Sequence, residues 1–236
     1  MRTRARLGLL AAALASSQMA GAAGAPVTPV AARTEHRSAR PDFAGASASA
    51  AARQLADWVV ASDDHDGLPF VVIDKVAAKV FAFDRHGLLL GAAPALFGLA
   101  RGDVSPPGIG DRKLATITPA ERITPAGRFV AALGRNVAGQ DILWVDYDAA
   151  VSLHRVIAGK PGERRLERLA TASPRDNRVS YGCINVPVAF YESVVRPLFD
   201  ATTGIVYILP ETQSLHEVFP LAGEWKRSAR LSAALP

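Results

Sequence analysis

Apolar residues recur at two spacings along this chain, and the change from one to the other divides it. Between Ala51 and Ala61, Leu55, Trp58 and Val59 lie three and four positions apart or side by side, which predicts a short amphipathic helix. The polar run Ser62-Asp63-Asp64-His65-Asp66-Gly67 ends it, so residues 51–66 read as a helix and turn. From Pro69 the helical spacing gives way to short β-branched and aromatic runs. These are Phe70–Asp74, Lys79–Phe83 and Leu88–Gly91, then 129–133, 142–145, 151–156 and 205–209. One longer helical pattern runs from Pro187 to Phe199, with Val188, Tyr191, Val194, Val195 and Leu198 on a common face. Many short strands, Gly/Pro turns and few helices predict a mainly β, sandwich-like domain over residues 67–211.

The flanks read differently. Residues 23–50 are rich in Ala, Pro and Ser with few large apolar side chains, the composition of a flexible linker. Residues 212–236 read as a C-terminal tail whose last dozen residues are basic. At the other end Arg2, Arg4 and Arg6 precede the apolar run Leu7–Ala15, and Ala20-Gly21-Ala22 offers a small-residue cleavage site. That order predicts a secretory signal peptide over residues 1–22, and hence an exported protein. No apolar run approaches the roughly 20 residues of a membrane-spanning helix, so no membrane span is expected.

Of 236 residues 49% are hydrophobic and 21% charged, as in an ordinary globular protein. The formal charge of +5 includes three arginines in the first six positions and falls to +2 beyond residue 22, which gives no reason to expect nucleic acid. The single cysteine, Cys183, excludes an intrachain disulfide and a cysteine zinc cage. No metal or cofactor is expected. The Asp/His cluster at 63–66 fits a polar turn, and Gly108-Ile109-Gly110 lacks both the third glycine and the following helix of a dinucleotide site. An adhesive role for Arg101-Gly102-Asp103 has the least support.

In an exported protein an unpaired thiol is a liability unless it is used. Cys183 lies in Ser180-Tyr181-Gly182-Cys183-Ile184-Asn185, just before the 187–199 helical pattern. A helix N-terminus would favour the thiolate, and amides near Tyr181, Gly182 and Cys183 would face a developing oxyanion. A cysteine nucleophile needs a base. His36 is in the linker, His65 and His86 are in turns, and His216 is near the C-terminal end; His154 alone lies in a strand-like run. A second element, Thr124-Pro125-Ala126-Gly127-Arg128-Phe129, reads as a turn flowing into a strand.

Together these residues resemble the L,D-transpeptidase (YkuD-type) catalytic domain family, whose signature is a histidine, a spacer, then Ser/Thr-His-Gly-Cys-hydrophobic-Asn. The resemblance spans about residues 69–210. It implies a β-sandwich-like fold, a periplasmic or cell-wall location, and action on peptidoglycan stem peptides. Cys183 would attack the carbonyl of the third stem residue and expel the terminal D-alanine. The thioester would pass to an amine of a second stem or of a lipoprotein lysine, or to water. His154 would be the general base, with Ser180, Tyr181, Gly182 and Asn185 supporting the motif loop and oxyanion site. Hydrolysis by the same pair, as a carboxypeptidase or amidase, and a non-catalytic wall-binding module are the alternatives. Two departures mark this chain. Tyr181 replaces the motif histidine, and the 29 positions from His154 to Cys183 exceed the usual spacer. The intervening segment carries Arg155, Lys160, Arg164, Arg165, Arg168, Arg175 and Arg178 against three acids, which suggests a basic flap; Arg155 and Arg178 are the arginines proposed to grip a substrate carboxylate.

Overall fold

A computed structural model describes residues 41–222. The signal-peptide segment 1–22, most of the 23–50 linker and the end of the 212–236 tail lie outside the described residues.

The β-rich runs form strands β1 (Phe70–Asp74), β2 (Lys79–Phe83), β3 (Leu89–Pro94), β5 (Gly127–Arg135), β6 (Asp141–Asp146), β7 (Val151–Arg155) and β10 (Gly204–Ile208). Three short strands were not legible in the sequence: β4 (Phe97–Gly98), β8 (Arg178–Ser180) and β9 (Ile184–Val186). Eight strands make one mixed sheet in the order β3-β2-β1-β10-β5-β6-β7-β9, while β4 and β8 pair by themselves. The chain is mainly β, as expected.

The nine-residue β5 is shared between two halves of the sheet. Gly127–Ala131 pairs with β10 and Ala132–Arg135 with β6. Side chains from both halves, including Val71, Ile73 and Val206 with Leu143, Val145, Leu153 and Ile184, meet in one core cluster. The sheet therefore wraps around this core, which gives the domain its sandwich-like character. A helical segment closes the core, built of α3 (Val188–Phe190), a π-turn (Tyr191–Val195) and α4 (Arg196–Phe199). The sequence had read this segment as one uninterrupted helix.

Strand alternation supplies a second core. In β1, Val71 and Ile73 face the first cluster, so Phe70 and Val72 point to the opposite side. There they pack with Phe81, Phe83 and Tyr207 beneath α1 (Ala50–Ser62). Leu55 and Val59 of α1 are fully buried, and each such side chain contributes about 1.5–3 kcal/mol. Ser49 caps the helix by accepting the Ala52 N–H. Both flanks contribute to this core. Phe43, from the end of the expected linker, packs on Phe81 and Phe83, while Phe219 and Ala222 beyond α5 (Leu215–Val218) are buried against it. The ordered body thus extends past both boundaries read from composition. β5 is largely half-exposed where β1 is fully buried, and the cleft described next opens beside the half of the sheet that carries β6 and β7.

Candidate active site

Period-two alternation assembles the site. Val151 and Leu153 of β7 enter the first core, which turns Ser152 and His154 outward. In β9, Ile184 and Val186 are buried in that core, and Asn185 turns the other way. The parallel register sets Asn185 directly beside His154. Cys183, two residues before Asn185, comes out on the same side. The strands border a cleft of about 400 Å³ lined by Ser152, His154 and Cys183, with an apolar wall of Leu114, Val137, Ile142, Trp144 and Ile157.

The thiol has several partners. Ser152 Oγ donates to Cys183 Sγ at 3.6 Å, and the S–H donates to Ala150 O at 3.7 Å. Burial pushes the thiol's pKa up. The neighbouring His154 imidazole and the N–H and hydroxyl of Ser152 outweigh it and hold the thiol below its ordinary value.

The helix N-terminus is not the cause. Cys183 is followed by strand β9, and the helical segment starts only at Val188, after Pro187. Several residues of extended chain separate the sulfur from the first helical turn, beyond the range over which a helix terminus acts.

The hydrogen-bond chemistry defines the state of the imidazole. His154 Nδ1 lies 2.7 Å from the Arg155 carbonyl, which can only accept, so Nδ1 carries the proton. Arg165 Nη1 lies 2.8 Å from Asn185 Oδ1, and a guanidinium can only donate, so Asn185 turns its Nδ2 toward the ring. That Nδ2 is 3.3 Å from His154 Nε2. Both constraints leave Nε2 with a lone pair and make it the nitrogen able to take the thiol proton.

The turn before Cys183 is braced throughout. Ser180 Oγ donates to Cys183 O at 2.6 Å and accepts the Gly182 N–H at 3.1 Å. Gly182 has φ +136°, and a Cβ there would stand 2.8 Å from Ile123 O, so only glycine fits. The buried Thr124 donates from Oγ1 to Gly182 O at 2.7 Å and accepts the Gly98 N–H at 2.9 Å. Because the Gly182 N–H is taken, the expected set of three oxyanion amides reduces to those of Tyr181 and Cys183.

The two arginines expected to grip substrate sit in different places. Arg155 lines the cleft but is held by Asp141 at 3.0 Å and Glu192 at 2.5 Å, and its guanidinium lies 4.2 Å from the Tyr191 ring. Arg178 does not line it. Arg178 is paired with Glu211 at 2.6 Å and donates to Lys75 O, in a buried cluster behind the motif turn. Tyr181, 37% exposed, carries the Arg122 guanidinium 3.9 Å above its ring. Asp103 of the Arg-Gly-Asp tripeptide is buried on Lys75, which takes it away from any adhesive surface.

The basic segment after His154 is mostly solvent-exposed, with several of its arginines paired inside the segment itself. It contains α2 (Arg165–Ala170); Arg164 pairs with Glu167, Arg165 with Glu163 at 2.6 Å, and Arg168 donates to Glu163 O and Asp176 O. Sequence reasoning missed Ser152, Thr124 and Arg165. Alternation from His154 would have found Ser152, and the Thr-Pro turn contains Thr124. No local signal points to Arg165. Among the described residues no group of three or more His, Cys, Asp or Glu is arranged to hold a metal, and no helix is long and apolar enough to cross a membrane.

No family model matches the chain, and no curated protein matches it. Among solved structures it is similar to the helical cell shape determining protein Pgp2 from Campylobacter jejuni, at 15% identity over 62% of this chain and 49% of that one, TM-score 0.40. It is also similar to an L,D-transpeptidase from Xylanimonas cellulosilytica, at 14% identity over 60% of each chain, TM-score 0.34. The catalytic domain of the E. faecium L,D-transpeptidase matches at 16% identity over 60% of this chain and 96% of that one, TM-score 0.31. The chain thus spans about half to three fifths of the length of the first two. In structure, this chain is similar to L,D-transpeptidases and to Pgp2.

Proposed function

We propose that this protein is a cysteine acyltransferase acting on peptidoglycan stem peptides through a thioester on Cys183, in the periplasm or cell wall. The observation that carries the reading is the convergence of Cys183, Ser152 and His154 in one cleft, with the buried Asn185 against the ring, Nδ1 of His154 carrying the proton and the thiol held below its ordinary value. The motif resemblance supplies the substrate class.

In this mechanism the thiol proton moves to His154 Nε2 as Sγ attacks the stem carbonyl. Negative charge builds on the carbonyl oxygen and meets the amides of Tyr181 and Cys183. Collapse breaks the C–N bond, the leaving amine takes the proton from Nε2, and the acyl group remains on sulfur. An amine of a second stem or of a lipoprotein then attacks the thioester, gives its proton to Nε2, and releases the thiol. Water in place of the amine makes the same site a carboxypeptidase or amidase. The apolar wall of Trp144 and Ile142 strengthens the charge interactions by excluding solvent.

The test is incubation of the full chain with disaccharide-tetrapeptides, with and without a diamino acceptor, followed by mass measurement of products and protein. Cross-linked product with acceptor, and stoichiometric acylation of Cys183 by a carbapenem, are expected. Cys183→Ala should lose all turnover with an unchanged circular dichroism spectrum. Residual turnover in that variant excludes the proposed nucleophile.

A further inference from the structure

The interval between His154 and the motif holds a residue that reaches back into the site. Arg165, the first residue of α2, has a side chain only 14% exposed. Its two edges are both engaged: Nε meets Glu163 Oε2 at 2.6 Å, and Nη1 meets Asn185 Oδ1 at 2.8 Å. Asn185 is 1% exposed and has two opposite edges, one that accepts and one that donates. Which edge meets His154 depends on what occupies the other. A guanidinium is always charged and never accepts, so it selects Oδ1 and leaves Nδ2 for the ring and for Cys183 O, at 3.3 Å and 3.5 Å.

We propose that Arg165 is the positioning residue of this site: by occupying Asn185 Oδ1 it determines which edge of the amide meets His154, and so where the base stands relative to Cys183. The inference rests on the reading of Cys183 as nucleophile and His154 as base. It gives the long interval a function other than covering the cleft. Glu163 holds the outer edge of the guanidinium, Arg165 spans the gap, and the motif asparagine passes the constraint to the imidazole. With Arg165 removed the buried amide is free to turn over, and the ring loses the donor that holds its Nε2 edge in place.

The experiment is alkylation of Cys183 by iodoacetamide across pH, using the full chain. The charged and titratable groups around the thiol are His154 and Arg155 of β7, Asp141 of β6, Arg135 of β5, Glu192 of the helical segment, and Arg165 with Glu163. Arg165→Met and Asn185→Leu should each raise the midpoint of labelling by about one pH unit, because a displaced imidazole no longer offsets the burial that pushes the thiol up. At neutral pH that is about a tenfold slower reaction.

The double variant should match either single one, because both act through one contact. Arg165→Lys keeps the charge and one donor and should recover part of the shift. Glu163→Gln loosens the same guanidinium from its outer side and should shift the midpoint the same way by less, which keeps a readout even if Arg165→Met does not fold.

Additive shifts in the double variant overturn the proposal, as does a wild-type midpoint in both Arg165→Met and Glu163→Gln. The two readings fail separately. Labelling that follows these expectations in a chain that processes no stem peptide rejects the proposed substrate, whereas stem-peptide processing with an unmoved midpoint in both variants rejects only the role of Arg165.

Discussion

Two polar networks flank the Gly182 turn, and they differ in how completely their atoms are used. Behind the turn, Lys75 Nζ donates to Asp103 Oδ1 at 2.7 Å, Gly102 O at 2.7 Å and Thr124 O at 2.8 Å. Asp103 also accepts from the backbone of Glu211, Thr212 and Gln213 and from the Thr212 hydroxyl. All three ammonium protons have an acceptor, and both carboxylate oxygens are filled. In front of the turn, His154 is held closely at Nδ1 and only by a 3.3 Å contact with Asn185 Nδ2 at Nε2, and the sulfur has contacts no shorter than 3.6 Å. A saturated network has nothing left with which to react, so it locates backbone. An incompletely satisfied one keeps weakly engaged polar atoms that can change partners. Thr124 joins the two, with its carbonyl on Lys75 and its hydroxyl on Gly182.

The comparison breaks most severely at His154. His154→Ala should lower kcat by about 10²–10⁴-fold, the usual contribution of a general base, while leaving the melting temperature nearly unchanged. It should also raise the pH at which iodoacetamide labels Cys183, because the ring is the strongest influence holding that thiol down. An unchanged labelling profile would show that His154 is not the partner of the sulfur.

Behind the turn the opposite balance is expected. Asp103→Asn leaves Lys75 charged and buried with a poorer partner, which should cost about 3–5 kcal/mol in chemical denaturation. Burial raises the Asp103 carboxyl, but Lys75, Thr212 and the amides of Gln213 and Glu211 outweigh it and hold it well below the usual carboxylate range. A depressed folded-state pKa stabilises fully above the unfolded value, near 4, and that contribution is lost as pH falls through the lower folded value. Stability of the native chain should therefore fall below about pH 4, and Asp103→Asn should flatten that acid limb. A steep acid limb in the variant would place the acid-sensitive group elsewhere.

Most of this architecture is legible from residue spacing, and the parts that are not share a cause. Runs such as Phe70–Asp74 and Ile142–Val145 announce strands because burial on one or both faces demands β-branched and aromatic side chains. The three-residue strands around Cys183 do not, since Arg178–Ser180 and Ile184–Val186 are too short to show a period and form only by pairing with distant segments. Reading the thiol as helix-capped followed directly from missing β9. Cys183 and His154 stand out in the sequence because a lone cysteine and a histidine within a strand-like run are chemically conspicuous. Arg165 does not, because its role depends on a contact across 20 positions that no local pattern encodes. Ser152 lies between these cases. Ser152→Ala should raise the labelling midpoint of Cys183 and slow alkylation by roughly tenfold or less, as the hydroxyl is lost and the Ser152 N–H remains.

The smallest effect should come from the residue that departs most visibly from the family signature. Tyr181 stands where that signature has histidine, which suggests a lost titrating group beside the thiol. Yet its ring carries the Arg122 guanidinium at 3.9 Å and is not among the side chains that line the cleft. The thiol is governed instead by His154 and Ser152. Tyr181→Leu should therefore cost only about 0.5–1 kcal/mol of stability, the worth of an exposed cation–π contact, and leave the labelling profile of Cys183 in place. Tyr181→His should behave likewise, adding an imidazole on the wrong side of the turn. A shift in labelling with either variant would mean that the front network extends through Tyr181, and the division at Gly182 would have to be redrawn.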